Sequence, residues 1–213
     1  EGRAVKTRKT LDQGAKQVVT VSPESPDPTK DGKLVYFSGE AVTEGTLEDT
    51  QFKVSAEALK LRRSVEYYQW EEDVKTETKK KLGGDEETVK TYNYNKKWTS
   101  SPINSSNFER QAGHENSSPT VEGNSWAASP ITVGEFTLSS GLVGQIDNFT
   151  SLSSGGETEL PETIAGKKVK LEGSTFYLGE NSGSPVVGDV RVTHQVALPG
   201  EVSVVAAQAG NGL

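Results

Sequence analysis

The chain has 213 residues, enough for one large domain or two small ones with a real core. Apolar residues make up 32% and charged residues 25%, which describes an ordered but polar chain with long loops. A net charge of -7 argues against a nucleic-acid partner, and the absence of Cys removes disulfides, thiolate metal sites and cysteine nucleophiles.

No Met occurs anywhere, so Glu1 is not expected to be a translation start, and the chain reads as a piece of a longer protein. No stretch approaches the roughly 20 apolar residues that a membrane helix needs, so any anchor is expected outside these residues. Residues 1–20 carry early Lys and Arg, then Leu11, Ala15, Val18 and Val19. That spacing suits a loose juxtamembrane helix or a linker running into a strand. Three prolines between Ser22 and Pro28 predict a loop. The segment Asp27-Pro28-Thr29-Lys30-Asp31-Gly32 resembles the start of a calcium loop, but Ser38 stands where a bidentate Glu is required. It reads instead as an Asp-Gly turn into a strand from Lys33 to Ser38.

From Leu59 the apolar period is two: Leu59, Leu61, Val65 and Tyr67 alternate with polar residues, and Arg63 breaks the apolar face. Tyr92, Tyr94 and Trp98 alternate with Asn93, Asn95 and Lys97. Between them, Lys79-Lys80-Lys81 adjoins Gly83-Gly84-Asp85-Glu86-Glu87, the composition of a solvated hairpin tip. The expectation is a long ribbon with 60–76 pairing to 87–99. Residues 100–131 are rich in Ser, Asn, Gly and Pro. A loop this long either packs across the sheet through Phe108 and Trp126 or hides further elements.

Leu142, Val143, Ile146 and Phe149 fall on one face of a 3.6-residue turn, predicting a helix over 136–149 capped by Ser139 or Ser140. A Ser/Gly linker near 150–158 precedes renewed strands. Lys168–Glu172 alternates, and Val190, Val192, His194, Val196 and Leu198 share a face. Leu198-Pro199-Gly200-Glu201 predicts a tight turn back into Val202–Gln208. Gly32–Gly39 resembles Gly166–Gly173, which fits either a duplicated subdomain or chance likeness between alternating strands.

Chemistry is sparse. The two histidines, His114 in a loop and His194 on a strand, would both be needed for a metal site; a hydrogen-bonded loop His and a core His are the simpler expectation. No nucleophile elbow, phosphate loop or dinucleotide fingerprint is present. No catalytic residue, metal ligand or cofactor is therefore expected. Tyr67, Tyr92, Tyr94 and Trp98 are the candidate ligand or partner surface, with a plain core role as the alternative. Asn104, Asn116 and Asn148 head N-glycosylation triplets.

Several blocks taken together resemble the large extramembrane domain of the transmembrane protein 43 (LUMA) family. They are Glu1-Gly2-Arg3-Ala4, the run Leu61 to Trp70, Tyr92-Asn93-Tyr94-Asn95 with Trp98, and Ile103 to Phe108. Gly113-His114-Glu115-Asn116, Phe136 to Leu142, Asp147-Asn148-Phe149 and Val187 to Val192 follow in the same order. The resemblance implies membrane helices on both sides of the domain. It places the domain in the lumen of the endoplasmic reticulum and inner nuclear membrane in animals, or in the periplasm in a bacterial member, which this chain is read as. It implies a scaffold that associates with itself and with other membrane proteins, and it carries no catalytic residues. The family's domain runs further than Leu213, so an open strand edge is expected.

The fold expected is mainly β (α+β), with antiparallel ribbons and one helix near 136–149. The division expected is a juxtamembrane segment at 1–20, a first β subdomain at 21–131, the helix at 132–149 and a second, incomplete β subdomain at 150–213. The function expected is a non-enzymatic extramembrane scaffold domain of a multi-pass membrane protein. The alternative is a ligand-binding module for a lipid headgroup, peptide or glycan.

Overall fold

Alternating apolar and polar residues can bury only one side of a strand, so period-two runs must pair into sheets that share a core. The computed structural model describes residues 18–153 and 160–213. The juxtamembrane reading of 1–17 and the centre of the Ser/Gly linker lie outside the described residues.

The strands in chain order are β1 (Val19–Thr20), β2 (Leu34–Thr43), β3 (Leu47–Asp49), β4 (Val54–Ala56), β5 (Lys60–Lys80), β6 (Glu86–Thr99), β7 (Asn124–Ala127) and β8 (Ile131–Val133). They continue as β9 (Phe136–Thr137), β10 (Thr150–Ser151), β11 (Thr163–Ile164), β12 (Lys167–Glu172), β13 (Thr175–Leu178), β14 (Val190–Ala197) and β15 (Gly200–Ala207). One α-helix, α1 (Ser140–Gly144), interrupts the series. The fold is thus mainly β and antiparallel, with a single short α-helix and two 3-10 turns among the described residues.

One sheet is built on β2. β15 runs antiparallel along one edge of β2 from Ala41↔Gly200 to Leu34↔Ala207. β8 and the short parallel β1 take the other edge, and β9 follows β8. Its core packs Val35, Phe37, Ala41, Ile131, Val133, Phe136 and Val204, with the Phe37 and Phe136 rings stacked at 4.7 Å. The other sheet runs β11-β12-β13-β14-β5-β6 and buries Phe52, Val65, Tyr67, Phe176, Leu178, Val190 and Val192. The tight turn at Pro199–Gly200 passes the chain from β14 in this sheet to β15 in the other.

Each sheet draws strands from both ends of the chain: β2 with β15, and β5 with β14. The boundary expected at 132–149 therefore separates no sheet from another. The two similar segments also part company, since Gly32–Gly39 leads into β2 and Gly166–Gly173 surrounds β12 in the second sheet.

The helix is capped by Ser139, whose Oγ accepts from Leu142 N, as its sequence suggests. It is shorter than 136–149, because Phe136–Thr137 is taken by the hairpin with β8 and the chain turns after Gln145. The long loop does both things foreseen for it. Trp126 lies in β7, opposite Leu61, while Phe108 packs on the ribbon. The Asp-Gly turn also forms: Asp27 accepts from Thr29 N at 2.9 Å, and Asp31 Oδ1 accepts from Gln208 Nε2 and Gly210 N.

Candidate interaction surface

The ribbon that carries the candidate aromatics forms in a shifted register. Residues 60–67 of β5 pair with β14, residues 60–63 also with β7, and β6 pairs only with Tyr67–Lys80. The tip turns at Lys81–Asp85, where Lys81 N donates to Asp85 O. This corrects the 60–76 with 87–99 pairing, and it changes which aromatics share a face.

Trp98 stands opposite Tyr68, Tyr94 opposite Glu72 and Tyr92 opposite Val74. Those partners all fall on the even face of β5. Tyr67 is on the odd face, only 8% exposed, and its hydroxyl donates to the Val121 carbonyl at 2.8 Å. The structure thus brings Tyr92, Tyr94 and Trp98 together and assigns Tyr67 to the core. Burial pushes the Tyr67 phenol up, with Glu122 adding to the shift and Arg63 opposing it.

The outer part of the loop folds over the base of the ribbon. His114 stacks on Tyr94 at 3.9 Å and meets Trp70 edge-on at 4.7 Å, and Phe108 lies 5.9 Å from Tyr94. Tyr94 donates to Glu72 Oε2 at 2.7 Å, and the same oxygen accepts from Glu109 N. Desolvation and that carboxylate both push the Tyr94 phenol up. Lys96 sits over the Trp70 ring at 4.7 Å.

Asn116 completes this docking. Its Oδ1 accepts from Trp70 N at 2.7 Å and its Nδ2 donates to Trp70 O at 2.8 Å, so one side chain stands in for a neighbouring strand. Gly188 and Asp189 satisfy Tyr68 in the same way two residues earlier. Beyond Trp70 that edge of β5 has no backbone partner among the described residues. The ribbon from Asp73 to the tip therefore stands clear of the sheet and of the docked loop, about 25 Å long at the rise of an antiparallel strand. Both its faces are exposed: Val74 is 44%, Val89 37% and Leu82 fully open. Charges opposed across the strands, Lys79 with Glu87 and Lys80 with Glu86, line its tip.

Arg63, which breaks the apolar face in the sequence, is buried in an ion cluster. Asp49 accepts from Arg63 Nη1 at 3.0 Å with each carboxylate oxygen and from His194 Nε2 at 2.9 Å. Arg63 also reaches Gln51 Oε1 and the Glu122 carbonyl. The His194 ring packs edge-on against Phe52 and Phe176, leaving Nδ1 buried and without a hydrogen-bond partner. Burial pushes the Asp49 carboxyl up, but the His194 hydrogen bond and the Arg63 charge outweigh it and hold the group below the usual carboxylate range. The cluster ties the β3–β4 hairpin to β5 and β14. Sequence reasoning missed Asp49 because its partners lie 14 and 145 residues away, at no spacing that a motif would display.

The two histidines are not brought together: His194 is sealed in this cluster and His114 lies on the ribbon. No group of three or more His, Asp or Glu suited to a metal occurs among the described residues. A separate groove of about 440 Å³ lies beside Trp98, lined by Glu66, Glu172, Tyr177, Arg191 and Thr193. There Arg191 stacks over Trp98 at 4.5 Å and pairs with Glu66 through two nitrogens.

The profile of the family described as Transmembrane protein 43 matches residues 67–213. Transmembrane protein 43 of Pongo abelii and that of Homo sapiens are each 39% identical over 227 aligned residues, covering all of this chain and 55% of theirs. The Transmembrane protein 43 homolog of Drosophila melanogaster is 30% identical and is covered to 57%. The chain thus spans about half the length of the curated relatives it matches. No solved structure matches. No helix among the described residues is long and apolar enough to cross a membrane, whereas the relatives are named as transmembrane proteins. With the family profile over most of its length and its full extent aligned to these relatives, the chain belongs to the Transmembrane protein 43 family.

Proposed function

We propose that this chain is a non-enzymatic domain on the extracytoplasmic side, lumenal or periplasmic, of a multi-pass membrane protein, and that it acts as a scaffold for self-association and assembly of membrane protein complexes. The free length of the β5–β6 ribbon carries this reading. An isolated two-stranded ribbon is marginal in water and buries no core of its own, so it adds little to the stability of the fold. Its opposed charges discourage indiscriminate strand pairing. Val74 and Tyr92, directly opposite on one face, leave an apolar contact point between them. Such an arm suits capture of a neighbour.

The interior chemistry supports the non-enzymatic part. The strongest acid–base constellation, Asp49 with His194 and Arg63, is closed off by Phe52 and Phe176 and binds strands together. A second reading, a ligand-binding module, draws on the groove beside Trp98, where an aromatic ring, Arg191 and two carboxylates converge.

The test is purification of the full-length protein in mild detergent with residues 74–92 replaced by an Asn-Gly turn between Asp73 and Asn93. The scaffold reading expects membrane-protein partners and self-association to be lost while the remaining fold persists. Unchanged partners would refute it. Retention of a co-purified lipid or glycan that Trp98→Ala removes would favour the module.

A further inference from the structure

β15 is an edge strand. Along Gly200–Ala207 it pairs with β2 on one side, and among the described residues nothing pairs with the other. Edge strands are usually protected by Lys, Pro, a bulge or extreme shortness. β15 has eight residues, Glu201 as its sole charge, and no Pro. Beside its open edge lies a groove of about 460 Å³, lined by Glu201–Val205 on one wall and by Leu138, Leu142, Gln145, Ile146, Asp147 and Asn148 on the other.

Side chains alternate across this strand. Val202, Val204 and Ala206 stand opposite Gly39, Phe37 and Val35 and face the core, where Leu138, Leu142 and Ile146 also pack. Glu201, Ser203 and Val205 face outward. Leu138, Leu142 and Ile146 thus form an apolar shelf on the core side of an unpaired edge. One added strand would cover that shelf with every second side chain.

The charges indicate what kind of strand. Glu201 stands directly opposite Glu40, a like-charge pair that is destabilising as it stands. Asp147 lies on the facing wall, and no Lys or Arg lines the groove. None of the salt bridges among the described residues engages Glu40, Glu201 or Asp147. Lys60, which reaches the same loop, donates instead to the carbonyls of Val143, Gly144 and Ile146.

We infer that the β15 edge is a β-augmentation site for one extended segment of a partner protein that alternates apolar and basic residues, the apolar ones on the shelf and the basic ones beside Glu201 and Asp147. A second copy of β15 fits less well, because its own core side would have to occupy the space that the shelf already fills. The inference rests on the assembly reading above but uses a surface separate from the ribbon, so the two can fail independently.

The test is hydrogen exchange by NMR on the 213-residue chain, titrated with an end-blocked nonapeptide of alternating valine and lysine. The expected result is slowed exchange confined to β15 amides and to loop 145–148. Binding should weaken by about 10-fold or more in Asp147→Lys/Glu201→Lys, two exposed sites, and for a peptide of the same composition with its valines and lysines in separate blocks. Equal binding by the variant or by the blocked peptide would overturn the proposal. So would β15 amides already protected at high dilution without peptide, since the edge would then be filled by the chain itself. Protection that grows with protein concentration alone would replace the partner by a second copy and likewise overturn it.

Discussion

Substituting Asp49 by Ala removes the acceptor at the centre of the buried cluster. Asp49 is 1% exposed and accepts four hydrogen bonds: two from Arg63 at 3.0 Å, one from His194 at 2.9 Å and one from Gln51 N at 3.2 Å. Arg63 is only 8% exposed, so the variant leaves a guanidinium charge without its counter-ion away from water. Breaking a buried pair in this way costs about 3–5 kcal/mol. For a domain of this size that lowers Tm by roughly 6–20 °C. Urea unfolding followed by tryptophan fluorescence, analysed at constant slope, measures it directly. The exposed pair Lys168–Glu180, at 2.7 Å, is the internal control: Lys168→Ala should cost less than about 1 kcal/mol. A loss below about 1 kcal/mol for Asp49→Ala would refute the claim that this cluster holds the β3–β4 hairpin against the sheet.

The same carboxylate makes stability depend on pH. Its folded pKa lies below the ordinary value of 3.8, so its contribution is present above that value and is lost as pH falls through the folded pKa. Wild type should therefore lose stability on acidification below about pH 4, and Asp49→Asn should lack that component in pH-dependent urea midpoints. Gly134→Ala should destabilise by about 2–4 kcal/mol in the same assay, since φ is +57° and an added Cβ would lie 2.4 Å from the Pro23 carbonyl oxygen. Gly32→Ala, with φ of +75° and open space around it, should cost only about 1 kcal/mol. Asn116→Ala should speed amide exchange at Trp70 and free the 104–116 loop while leaving the β2 sheet unchanged, because both Asn116 bonds to Trp70 are lost.

The strands were legible where one face is buried and the other wet. The period of two through Leu61, Val65 and Tyr67, and through Val190, Val192 and Val196, reports burial directly. Register was not legible. Whether Tyr67 shares a face with Tyr94 depends on the parity of the turn, and Gly83-Gly84 allows turns of several lengths. Tyr67 and Tyr94 look equivalent in the sequence, yet one bonds a core carbonyl and the other carries a docked loop. The sequence over-extends the helix because Leu142, Val143, Ile146 and Phe149 keep helical spacing after the helix has ended at Gly144. Phe149 turns instead toward the guanidinium of Arg62, 4.0 Å from its ring. Asn116 heads a glycosylation triplet in the sequence, but its amide nitrogen is engaged by Trp70 and Ile103 carbonyls. Asn104 and Asn148, which head the other two triplets, are exposed. None of these outcomes follows from local propensity, since each is decided by a residue far away in the chain.

The central claim is that the free ribbon is where this domain meets its neighbours. The most direct measurement places a photo-crosslinking amino acid at Val74 or Val89 in the full-length protein, in its own membrane, and at Val186 as a control. Val186 is 61% exposed and belongs to the loop whose Gly188 and Asp189 bond Tyr68, at the base of the ribbon and not on its free length. The account predicts discrete crosslinks to a second copy or to other membrane proteins from Val74 and Val89, and none of these from Val186. Ribbon positions that yield no crosslinks, or only the same background as Val186, would contradict it.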